Sequence, residues 1–126
     1  MEPVEILKID AQRNHGGIDH RQLIAFINSE VKVGAKLMQE NSTLILFKTV
    51  EDQKAEFHTF NAGSAADLAK NVELFMQMLK QIGYVAAYTE YTNPAISKLF
   101  TTYGGDRYEI EVTENEDGTF RAEVAL

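Results

Sequence analysis

Between two strand-like runs, Ala55–Phe60 and Tyr84–Tyr91, the chain holds a stretch whose apolar residues recur by threes and fours. They are Ala65, Leu68, Ala69, Val72, Phe75, Met76, Leu79 and Ile82. That spacing winds one broad apolar stripe along a helix. Asp67, Lys70, Asn71, Glu73, Gln77, Lys80 and Gln81 fill its other side. Ser64 stands at the N-cap position with Asp67 three residues later, a capping box, and Gly83 suits the left-handed close. At about 1.5 Å per residue this helix is roughly 27 Å long, enough to cross a small sheet. Strand, helix and strand together predict a βαβ unit whose helix opens at Gly63-Ser64. Unpaired amides and the helix dipole point outward there, which suits an anion.

Before this unit, Val4–Ile9 is a short apolar run behind Pro3 and is expected to be a first strand. Asp19 with Gln22 marks a helix start, and Leu23, Ile24, Ile27 and Val31 form its stripe. Ala35–Glu40, Thr43–Val50 and Ala55–Phe60, joined by short polar turns, predict an antiparallel meander with Leu44–Phe47 in a central strand. After the long helix, Asn93-Pro94 opens a second helix with Asn as cap, and Ala95, Ile96, Leu99, Phe100 and Tyr103 form its buried side. Tyr108, Ile110 and Val112, then Phe120, Ala122 and Val124, alternate with polar residues around a Glu116-Asp117-Gly118 turn. That is a terminal strand pair.

A chain of 126 residues suits one domain, residues 1–126. Its net charge of -7 argues against broad binding to nucleic acid or to an anionic membrane and favours a protein partner, while the acidic run Glu109, Glu111, Glu114, Glu116 and Asp117 suits a cationic amine substrate or a basic partner. With no cysteine there is no disulfide, thiolate metal site or thiol nucleophile. No apolar run approaches the roughly 20 residues of a membrane span, so a soluble, cytoplasmic protein is expected. His15, Asp19 and His20 lack a fourth ligand, and no metal is expected. His15-Gly16-Gly17 has no Gly-x-Ser-x-Gly elbow to serve.

The order of elements, and the stretch Asn93–Gly104 with Asn93, Leu99 and Gly104 in place, resembles the GNAT (Gcn5-related N-acetyltransferase) superfamily over nearly the whole chain. In its small size the chain is most similar to GNAT-like proteins of tailed bacteriophages. The resemblance implies an α/β (α+β) fold, a mixed, mostly antiparallel sheet with helices on both faces. It also implies acetyl-CoA held in a splay between the strands flanking the long helix, its pyrophosphate on the amides of a Gln/Arg-x-x-Gly-x-Gly/Ala loop. Asn61-Ala62-Gly63-Ser64-Ala65-Ala66 is the counterpart here, with Asn61 for the long polar residue and Ser64 for the first glycine. Asn61, Gly63, Ser64, Ala65, Ala66 and Asn93 are thus the cofactor-binding candidates.

Where family members place a tyrosine that protonates the leaving thiolate, this chain has Phe100, and Tyr103 is the available substitute. Glu56 and His58 alternate on one face of the strand before the long helix, where a general base is implied. Two readings stay open. One is transfer of an acetyl group from acetyl-CoA to an amine. The other is a catalytically degenerate GNAT-fold protein, a phage accessory or virion component, that binds a protein through the tyrosines clustered in its C-terminal third.

Overall fold

The computed structural model describes residues 1–14, 18–103 and 107–126, with only the backbone of Tyr103. The elements follow as α1 (Pro3–Asn14), α2 (His20–Lys32), β1 (Lys36–Glu40), β2 (Thr43–Glu51), β3 (Lys54–Asn61), α3 (Ala65–Gln81), β4 (Ala86–Tyr91), α4 (Ala95–Tyr103), β5 (Glu109–Glu114) and β6 (Phe120–Ala125). The strands form one sheet in the order β1-β2-β3-β4-β6-β5. β3 and β4, joined through α3, run parallel, and the other neighbouring pairs are antiparallel. The expected meander, βαβ unit and terminal strand pair are all present.

Val4–Ile9 is not a strand. It is the body of α1, which buries Ile6, Leu7, Asp10 and Ala11. Those are two pairs four residues apart, one face of a helix. Asp10 completes the face, and a buried carboxylate escapes any count of apolar residues. Pro3 sits at the helix start, where its missing N–H costs nothing. Without that strand, β1 is the edge of the sheet.

Helices cover both faces. Ile6, Leu7 and Ala11 of α1 and Leu23 and Ile27 of α2 pack on Leu44 and Leu46 of β2 and Phe60 of β3. On the other face, Phe75, Met76 and Leu79 of α3 pack on Ile45, Ala55, Phe57, Ala87 and Val124. Leu44, Ile45 and Leu46 therefore point alternately into two cores, which is why that run lacks a polar face. Thr43–Val50 lies inside the sheet, second from its edge. Phe57 and Phe75 are sealed from solvent, with ring centroids 5.4 Å apart. Burial of each stabilises the fold by about 1.5–3 kcal/mol.

α3 has the predicted capping box, with Ser64 Oγ accepting from the Asp67 amide at 3.1 Å and Asp67 Oδ2 from the Ser64 amide at 3.0 Å. Gly83 closes its far end at φ 105°. Three residues depart from the predicted stripe, the first being Ala65, exposed in the opening turn. Ile82 lies past the end of the helix and is exposed. Asn71, assigned to the polar side, is buried; its Nδ2 donates to Thr43 Oγ1 at 2.9 Å and its Oδ1 accepts from Asn41 at 3.3 Å. A buried amide paired in this way meets its hydrogen-bonding demand.

Candidate functional site

β3 and β4 pair only over Lys54↔Ala86, Ala55↔Ala87 and Glu56↔Tyr88. Beyond Glu56 and Tyr88 they part, because β3 continues along β2 to Asn61 while β4 continues along β6 to Tyr91. The opening leads into a cavity of about 610 Å³. Arg13 of α1 and Phe26 of α2 line it from one face of the sheet, and Leu68 and Val72 of α3 with Leu99 of α4 from the other. The cavity therefore passes through the sheet at the splay.

Asn61, Gly63 and Ala65 line one end of this cavity at the N-terminus of α3, and Ser64 and Ala66 adjoin them in the chain without lining it. Several groups there are already engaged. Asn61 Oδ1 accepts from the Gly63 amide at 3.1 Å and from Thr43 Oγ1 at 3.0 Å, while its Nδ2 donates to the carbonyls of Gly63 and Ser64 at 3.0 and 3.3 Å. The Asn61 amide in turn donates to Asp10 Oδ1 at 2.9 Å. A Cβ at Gly63 would collide with the Ser42 hydroxyl and stand 2.9 Å from Asp67 Oδ2, so any other residue would displace these side chains and disturb the capping box. Hydrogen bonds from Ser64, backbone amide first, hold the Asp67 carboxyl below its ordinary range. The amides of Ala65 and Ala66 lie in the first turn, where no helical acceptor precedes them. They remain available to a ligand.

The sequence showed no cation near this loop, yet the fold brings one. Arg13, in the last turn of α1, donates from Nη1 to the Gly63 carbonyl at 2.7 Å and lines the cavity. A guanidinium has five N–H donors in a fork, so one such bond leaves several for an anion. The sequence signal was the helical pattern of Ile6, Leu7, Asp10 and Ala11, which places Arg13 on the next turn.

At the vertex of the splay, His58 Nε2 lies 3.1 Å from Glu56 Oε1, and Tyr88 donates to Glu56 Oε2 at 2.9 Å. His58 lines the cavity and meets Phe26 edge to face, with centroids 5.6 Å apart. Burial, with the Glu56 hydrogen bond second, pushes the Tyr88 phenol up to about 12. From the sequence Tyr88 is one of the five clustered tyrosines, with no tie to Glu56. Only the parallel register of β3 and β4 sets it beside Glu56.

Across the opening, Asn93 caps α4 by accepting from the Ala95 amide at 3.0 Å. Asn93 and Phe100 line the cavity. Tyr103, expected as the proton donor, ends α4, and its side chain lies outside the described residues. Tyr91 stacks between Phe100 and Phe120, with centroids 6.2 and 5.7 Å away, and its hydroxyl lies 2.8 Å from Ser97 Oγ. Tyr88 and Tyr91 point to opposite faces of β4, so the clustered tyrosines do not make one surface.

His15, of the weighed metal trio, lies outside the described residues, while Asp19 and His20 stand 3.1 Å apart at the start of α2. Among the described residues no helix is long and apolar enough to cross a membrane.

No protein-family model and no curated protein matches the chain. Solved structures do. Ribosomal-protein-alanine N-acetyltransferase from Brucella melitensis is 9% identical, with a TM-score of 0.61, over 98% of this chain and 91% of that one. YncA from Salmonella typhimurium, solved with its cofactor acetyl-CoA, is 12% identical, with a TM-score of 0.61, over 98% of this chain and 86% of its own. A domain from Methanocaldococcus jannaschii DSM 2661 is 21% identical, with a TM-score of 0.52; the match covers 71% of this chain and 63% of that domain's length. At such identities the likeness is one of fold, and the fold is GNAT-like. None of the three bears on the resemblance to phage proteins.

Proposed function

We propose that the protein is an N-acetyltransferase that moves an acetyl group from acetyl-CoA to an amine. The observation that supports this reading is the parting of β3 and β4 at Glu56–Tyr88, which opens a cavity from one face of the sheet to the other. Two substrates can then meet edge-on within the sheet, one entering from each face.

The residues at the α3 end fit a pyrophosphate. The amides of Ala65 and Ala66 would hold it at the positive end of the helix dipole, with Arg13 as counter-cation. Gly63 keeps the loop tight, and Asn61 and Ser64 fix its backbone through their own hydrogen bonds. Asn93 caps α4 and so sets the opposite wall. When bound, acetyl-CoA supplies an activated acyl carbon: the amine nitrogen bonds to it as the carbon–sulfur bond breaks, and the electron pair leaves on sulfur. His58 accepts the proton that the amine gives up, and Glu56, 3.1 Å away, stabilises the resulting imidazolium. Phe100 has no proton to give, so the departing thiolate takes one from solvent or from Tyr103 on the same helix.

The test is a melting curve. A ligand that binds only the folded state at a hundredfold excess over Kd adds about 2.7 kcal/mol of stability. For a domain of this length that is a rise on the order of 8–15 °C. Millimolar acetyl-CoA and CoA should both raise the melting temperature, and Ala65→Asp should abolish the rise while leaving the ligand-free melt nearly unchanged. A flat response of the folded protein to both compounds would sink the reading. A rise that survives Ala65→Asp would mean the phosphates rest elsewhere.

A further inference from the structure

The cavity does not end where the splay ends. A pantetheine arm lying between the parted strands must stop at Glu56 and Tyr88, because there the backbone hydrogen bonds close the sheet. One step further along, on the α3 face, the sheet register sets Ala55, Ala87, Val124 and Ile110 in a row. Val124 and Ile110 of that row line the cavity, together with Tyr108, Phe100 and Met76. Met76 lies eleven residues into α3, about 16 Å along the helix from Ala65. The cavity thus continues past the vertex, between α3, α4 and the β5–β6 pair.

The walls of this extension are apolar. Val124 and Met76 are buried in the surrounding core and lie along the wall of the cavity. Burial, with the Glu73 charge second, raises the Tyr108 phenol, so it stays neutral at ordinary pH. Glu73, the carboxylate at this end, is paired with Arg107. An acetyl methyl would reach only the start of this apolar lining, whereas a longer hydrocarbon would run along it and gain the free energy of leaving water.

We infer that the site takes, besides acetyl-CoA, coenzyme A thioesters of medium-length aliphatic acids, whose chain occupies the extension lined by Met76, Phe100, Tyr108, Ile110 and Val124. This rests on the reading of the splay as a coenzyme A site, and widens the range of acyl groups moved. The transfer balances as before: the amine nitrogen gains a bond to the acyl carbon, the carbon–sulfur bond breaks, and the amine proton passes to His58.

Calorimetric titration of the full chain with CoA, acetyl-CoA, butyryl-CoA and octanoyl-CoA tests it. Each methylene that enters the extension should tighten binding roughly three- to fourfold, so octanoyl-CoA should bind at least about tenfold more tightly than acetyl-CoA. Ile110→Phe fills the extension, and Met76→Phe does so from the α3 wall if the first variant does not fold. Either should bring octanoyl-CoA back to the affinity of acetyl-CoA, itself changed by no more than about twofold. Equal or weaker binding of octanoyl-CoA, with acetyl-CoA bound, overturns this inference and leaves the coenzyme A reading standing. A chain-length preference unchanged in a folded variant also overturns it. Binding of none of the four compounds overturns both.

Discussion

Tyr88 donates its phenolic hydrogen to Glu56 across the last residue pair that β3 and β4 share, at 2.9 Å. With His58 on the other carboxylate oxygen, both oxygens of Glu56 are held at the point where the sheet opens. The Arg121 guanidinium lies 3.8 Å from the centre of the Tyr88 ring, packing the phenol from above. Such contacts fix both side chains at the vertex of the splay.

The Tyr88 phenol ionises at about 12 in the fold, against an ordinary value of 10.0. Between those values the folded state holds a proton that the unfolded chain releases, so stability falls as pH rises. The contribution is whole below about pH 10 and is lost as pH passes through 12. Tyr88→Phe has no phenol to ionise. Urea unfolding at pH 9, 10 and 11 should show a shallower loss in this variant than in the parent protein; identical slopes would contradict the assignment.

Leu46 is 1% exposed and points into the core between β2 and the α1–α2 pair. Leu46→Asp would bury an unpaired charge, at a cost of about 4 kcal/mol or more. The variant should be largely unfolded at 37 °C by circular dichroism. A melt close to that of the parent would refute this placement of the strand.

Asn61 joins β3 to the loop before α3 through Gly63, Ser64 and Thr43. Asn61→Ala leaves the Gly63 amide and Thr43 hydroxyl without that acceptor, for a loss of roughly 1–3 kcal/mol. Because the same bonds shape the loop, acetyl-CoA should also bind at least tenfold more weakly by titration. Lost stability with unchanged affinity would separate the loop from the ligand.

Phe100 is half-buried, stacks on Tyr91 and lines the cavity. Phe100→Tyr adds one hydroxyl to that wall, so its melting temperature should stay within a few degrees of the parent. Acyl transfer to an amine, followed by release of free thiol, should rise if a proton donor limits the reaction. An unchanged rate would show that protonation of the thiolate is not limiting.

The sequence by itself determined every element whose signal is local. The stripe of α3, its Ser64–Asp67 capping box, Gly83 and the alternation of β5 and β6 depend on residues a few positions apart, where side-chain period and cap chemistry act directly. It also placed the candidate anion loop, because a helix N-terminus is a local object. Tertiary structure decided the rest. Val4–Ile9 lies in a helix whose buried face is completed by Asp10, held by the Asn61 amide, a partner 51 residues away. That helix delivers Arg13 to Gly63, and the parallel register delivers Tyr88 to Glu56. The cavity itself exists because β3 follows β2 while β4 follows β6, so the two strands part after three paired residues. Strand pairing is a competition between distant segments for backbone hydrogen bonds, and no local spacing in the chain records which partner wins.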